Sequence, residues 1–267
     1  MAPGPDVASV AGEVEGKPAL QIGARVGYAV SGVLHLLIGW IALQVAWSAG
    51  AKSADQSGAL QTVAGNSLGR LTLWVAVLAF LALALWQLAS ALAVRPGGEP
   101  SKWADKAKGF AKVVVYLVLA WTSLSFAKGQ PSSSKAQSAD FTATMLQHTG
   151  GRLLVAVIGM VVLGVGAYHM VKGWTKKFLQ DLSGNPGILA TRAGVVGYIA
   201  KGIALAVVGA LFVIAAAQNS SSKATGLDGA LRSLRQQQFG PWLLTAVALG
   251  IAAFGLYSFA RARHARV

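Results

Sequence analysis

"GYAVSGVLHLLIG" (27–39) and "GYIAKGIALAVVG" (197–209) share Gly27 with Gly197, Tyr28 with Tyr198, Gly32 with Gly202 and Gly39 with Gly209. The second stretch carries Lys201 where the first has Ser31. Each sits in a longer apolar block. Blocks of this kind recur at 24–46, 71–94, 110–127, 153–174, 193–217 and 242–260, and none contains Asp or Glu. A membrane-crossing helix needs about 20 mainly apolar residues. The chain of 267 residues is 54% hydrophobic and only 12% charged, well below the roughly 25% usual in soluble domains. Six transmembrane helices are predicted, and the fold class is all-α and polytopic.

The connections repeat as well. "QPSSSKAQ" (130–137) returns as "QNSSSKAT" (218–225), and "WSAGAKSA" (47–54) is a worn copy. Lys52, Lys135 and Lys223 coincide. Downstream, Ser57, Asp140 and Asp228 are candidate N-caps of short amphipathic helices. Each copy then reaches a glycine, Gly69, Gly151 or Gly240, and later an aromatic, Trp86, Tyr168 or Tyr257, at a constant spacing. The unit is therefore helix, amphipathic segment, helix, used three times. The boundaries read as a disordered tail at 1–20, repeats at 21–95, 105–178 and 189–262, and a basic tail at 263–267. Two helices per unit return the chain to one side, so the repeats are parallel. A ring with pseudo-threefold symmetry gives every hairpin two neighbours and is preferred over a row.

The net charge is +14, which in a soluble chain would suggest nucleic acid. Here most of the 23 Lys and Arg residues lie in the tails and in the loops 95–112 and 172–192. The positive-inside rule then puts both termini in the cytoplasm, and no nucleic-acid partner is expected. The location expected is the bacterial inner membrane. Arg261, Arg263 and Arg266 form a basic tail suited to orientation or to anionic lipid. Arg70 and Arg152 start helices, where the dipole disfavours cations, so headgroup phosphates are the expected compensation. Trp74, Trp103, Trp174 and Trp242 fit interfacial belts, while the deeper Trp40 and Trp121 are assigned to packing.

Repeat alignment puts Lys201 on Ser31 and Lys112. It stands about 12 Å into its helix at about 1.5 Å per residue. It either snorkels, meets a carbonyl, or marks a pathway. One turn on lie His35, Tyr116 and Leu205, and after the even-helix aromatic come Gln87, His169 and Ser258. If these face the centre, they line an acid-free cationic axis suited to an anion or a lipid headgroup.

The paired 27–39 and 197–209 stretches, "GAL" at 58–60 and 229–231, and "GRL" at 69–71 and 151–153 resemble the bacterial domain of unknown function 1206 family. The middle copy departs, with Val113 in place of the glycine. The resemblance implies tandem two-helix membrane repeats and no particular activity.

Nothing in the sequence builds a catalytic site. All 9 acidic residues lie outside the apolar blocks, and cysteine is absent. No phosphate loop or H-E-x-x-H occurs. His35 and His169 raise a haem ligand pair, but their depths of about 16 and about 8 Å differ and they are not repeat-equivalent. No cofactor or metal is expected. The function expected is a scaffold or accessory subunit of a membrane complex, with a transporter or channel for a small anion or amphiphile as the alternative.

Overall fold

In lipid every backbone N–H and C=O must be satisfied within the chain, so long apolar runs become helices. The computed structural model describes residues 18–48, 52–65, 67–93, 100–130 and 133–265. Among them it is helical and without strands. The elements are α1 (Pro18–Trp47), α2 (Gln56–Val63), α3 (Ser67–Ala93), α4 (Pro100–Ala127), α5 (Ser134–Leu146), α6 (Gly151–Trp174), α7 (Gly187–Ala217), α8 (Gly226–Arg235) and α9 (Gly240–His264). Six helices are long and apolar enough to cross a membrane, with spans at Gln21–Trp47, Ser67–Leu92, Lys106–Ala127, Gly151–Trp174, Gly187–Ala217 and Gly240–His264. The expected tail 1–20 lies outside the described residues up to position 17, and α1 already begins at Pro18.

The short helices α2, α5 and α8 fall where the repeated loop motif places them, but their starts differ from expectation. Ser133 caps α5, its side chain accepting from Ala136 N at 3.3 Å. Asp140 lies well inside that helix. Ser57 is the second residue of α2 and donates to Asp55 Oδ1 at 2.6 Å. Asp228 stands within α8, behind Thr225 at the N-cap. All three sequence-assigned caps are thus corrected: each sits inside the helix it was expected to begin.

The repeated glycine has a steric cause. A Cβ on Gly151 would overlap Met145 O, and one on Gly240 would overlap Arg235 O, both at the end of the preceding short helix. The residue before it is left-handed in both copies: Gly150 has φ 82 and Phe239 has φ 59. Only the first is a residue that adopts this conformation without cost.

The packing separates into two compact units. The first contains the described parts of Met1–Val30, Val63–Gln130 and Arg261–Val267. There Tyr28 meets Trp86 edge-on at 6.5 Å between centroids, and a Cβ on Gly109 would lie 2.6 Å from that of Ala91.

The second unit contains Ser31–Thr62 and Pro131–Ala260. Its aromatic core joins Phe178, Tyr198, Phe254 and Tyr257 with Leu182. Phe178 stacks on Tyr198 at 5.2 Å and accepts, through its carbonyl, a 3.4 Å hydrogen bond from Tyr257. In the same unit, backbone-close packing joins the second helix of one repeat to the first helix of the next. A Cβ on Gly166 of α6 would lie 2.7 Å from Ala206 N and 2.8 Å from Gly202 O of α7. Between α1 and α9, a Cβ on Gly255 would lie 2.9 Å from Gly32 O. Within this unit the first and last spans therefore pack together.

Candidate functional site

The intramembrane polar residues fall into the two units separately. In the second unit α1 supplies Ser31 and His35, α7 supplies Lys201, and α9 supplies Phe254 and Ser258. His35 Nδ1 lies 2.7 Å from Ser31 O. A carbonyl only accepts, so Nδ1 carries the proton and Nε2 is left as the acceptor. Nε2 faces Lys201 Nζ at 3.5 Å, and the ammonium sits 4.2 Å above the centre of the Phe254 ring. The His35 ring itself lies 4.8 Å from that of Phe254. Lys201 thus turns toward two neighbouring helices. A ring face and an imidazole lone pair stabilise a half-buried cation there.

Ser258 Oγ donates to Phe254 O at 2.8 Å and is buried. His169 lies on α6, its Nδ1 2.8 Å from Val165 O and its ring 5.7 Å from that of Tyr198. In the first unit Gln87 is buried, Tyr116 is half-buried and Lys112 is exposed. Of the expected axis residues, the structure brings Ser31, His35 and Lys201 together. His35 presents Nε2 to an ammonium group, a poor neighbour for an iron ligand. Among the described residues no group of three His, Cys, Asp or Glu is placed to hold a metal.

Two further contacts were not anticipated, and they are repeat-equivalent. Arg261 lies 4.3 Å above the Tyr28 ring, with Nη2 3.4 Å from its hydroxyl. Lys172 lies 5.5 Å above the Tyr198 ring and pairs with Asp181 at 2.6 Å. Each joins the end of an even helix to the start of an odd one. In the remaining copy the same register holds Ser90 and Gly109, so cation and ring are exchanged together. The signal was visible: the cation stands one helical turn beyond the marker aromatic.

Arg261 is therefore half-buried against a ring, whereas Arg263 is exposed and Arg266 lies outside the described residues. A Tyr28→Leu, Arg261→Met double-mutant cycle is expected to give a coupling of about 0.5–2 kcal/mol, read from unfolding in detergent. Additive effects would remove the pairing.

Arg152 has a partner within the protein. It donates to Ala217 O at 2.8 Å, at the C-terminus of α7. The dipole there favours a cation, so the neighbouring helix offsets the unfavourable dipole at the start of α6. Trp40 is 60% and Trp121 70% exposed, which places both on the apolar surface and not in packing.

Three two-helix repeats and six long apolar spans mark a polytopic membrane protein. The model of a Domain of Unknown Function, DUF1206, matches residues 26–93, 107–176 and 196–265. The chain belongs to this family. It is also 27% identical over 251 residues to "Uncharacterized protein YxxB" of Bacillus subtilis (strain 168), across 91% of this chain and 90% of that protein. No solved structure matches.

Proposed function

We propose that this protein is a non-enzymatic scaffold or accessory subunit of a complex in the bacterial cell membrane, with both termini cytoplasmic. The supporting observation is how its ionisable groups are used. Lys201, Lys172, Arg261, Arg152 and Asp228 all fasten one helix or loop to another. Such contacts hold helices and loops together within each unit, which is the use a scaffold makes of its charges. The spans of α4 and α6 are only 28% and 17% buried, so they offer the widest apolar faces to lipid or a protein neighbour. Arg263 remains exposed for anionic headgroups. The test is photocrosslinking from Met160, which is 60% exposed on α6, in native membranes. A single protein adduct is expected; adducts with lipid alone refute the scaffold.

A second reading has its own observation. Lys201 and His35 face each other inside spans that contain no Asp or Glu, which suits a small anion or amphiphile. Under that reading Lys201→Ala abolishes most anion flux in proteoliposomes. Flux that is absent from the parent, or unchanged in the variant, removes it.

A further inference from the structure

On the side of the membrane that carries α2, α5 and α8, the third repeat grips the first. The buried Ala54 N–H donates to Asp228 Oδ1 of α8 at 2.8 Å. Arg232 Nε lies 3.0 Å from both Asp228 oxygens, and its Nη2 lies 3.4 Å from Lys52 O. These contacts dock the segment that leads into α2.

Asp55 is the anomaly beside this grip. It is 1% exposed. Its Oδ1 accepts from Ser57 Oγ at 2.6 Å and Gly58 N at 3.1 Å. Its Oδ2 is buried with no hydrogen-bond partner. A charged, unsolvated oxygen is costly there, whereas a carboxylic acid leaves no net charge to solvate. The neighbouring charges sharpen the preference. Asp228 repels an Asp55 anion, and Arg232 is committed to Asp228. Lys52, on the same segment as Asp55, points its Nζ at Thr62 Oγ1 at 3.5 Å.

We propose that Asp55 is a proton-binding site, and that its protonation state sets whether residues 52–63 stay docked on α8. The docked segment holds Asp55 as the neutral acid. Loss of the proton buries a second negative charge beside Asp228 and favours undocking, where water can solvate both oxygens.

The direction with pH follows from linkage. Burial pushes the Asp55 carboxyl above the usual carboxylate range, and the Asp228 charge adds to it, against hydrogen bonds from Ser57 and Gly58 that favour the anion. The docked state thus binds the proton more tightly than the undocked state. Docking is fully supported below the ordinary carboxylate pKa and weakens as pH rises through the raised value.

The test is amide hydrogen exchange of the full chain in nanodiscs across pH 4.5 to 8 (about the range of interest for a raised carboxyl), corrected for intrinsic rates. Protection at residues 54–58 is expected to fall about tenfold or more with rising pH, one pKa unit of differential binding being about tenfold. Asp55→Asn removes the titration and is expected to give a flat profile. Ser57→Ala deletes a donor that favours the anion and is expected to move the transition to higher pH. A wild-type profile without pH dependence, an Asp55→Asn profile like the wild type, or an unmoved Ser57→Ala midpoint each overturns the proposal.

Discussion

Gly166→Ala is expected to destabilise the protein by about 1–3 kcal/mol, the usual cost of overpacking, while Gly164→Ala, two positions away on the same helix, is neutral or stabilising. The two glycines share sequence context and helix propensity. Replacing either by alanine gains up to about 1 kcal/mol of propensity. They differ in what a methyl group would meet. At Gly164 nothing lies within 4 Å. At Gly166 the nearest atoms are backbone, Ala206 N at 2.7 Å and Gly202 O at 2.8 Å. Backbone in a packed helix has no rotamer to change, so α6 and α7 must separate. That separation also weakens the Gly159 to Gly209 contact along the same seam, where a Cβ on Gly159 would lie 2.9 Å from Gly209 O. Without water to drive helices together, close van der Waals packing between small residues carries much of the association. Unfolding in mixed micelles, followed by tryptophan fluorescence, distinguishes the pair. Equal stability of the two variants would refute the seam.

The seam also shows what sequence periodicity conveys and what it conceals. Length and apolarity fix six spans, because lipid leaves an apolar chain of that length few alternatives. The loop motif and the spaced aromatics fix three repeats. Gly32, Gly202 and their partners were legible as small residues. Which helix they faced was not, since a glycine stripe has no chemical preference for its partner. Lys201 was legible as a cation inside a span, but snorkelling and a cross-helix contact look alike until Phe254 and His35 are placed beside it. Trp40 and Trp121 were misassigned because depth in a span does not determine which face of the helix a residue takes. Phe178 lies in a basic loop, and its insertion between Tyr198 and Tyr257 depends on the turn Lys177–Asp181, which has no periodic signal. Asp228 was read as a cap because its neighbours in sequence suggested one. Besides Arg232 on its own helix, its partner is the Ala54 N–H of the first repeat, a relation that local pattern cannot encode.

That long-range role gives the second large effect. Asp228→Ala is expected to release the 52–63 segment and to speed tryptic cleavage after the exposed Lys52. Two losses combine. Ala54 N–H, fully buried, is left without its acceptor, at a cost of about 1–3 kcal/mol. Arg232 loses the carboxylate that both orients and neutralises it. Breaking a fully buried pair costs about 3–5 kcal/mol. The Arg232 side chain is 35% exposed, so water screens it and its share falls below that range. Asp228→Asn separates the terms. Its amide oxygen still accepts from Ala54, while the ion pair is gone, so cleavage after Lys52 should be intermediate between wild type and Asp228→Ala. The ordering follows from which group is more deeply buried: the backbone donor has no access to water, and the guanidinium does. If Asp228→Asn is cut as readily as Asp228→Ala, the ion pair alone holds the segment. If neither is cut faster than wild type, α8 does not hold the first repeat through Asp228 at all.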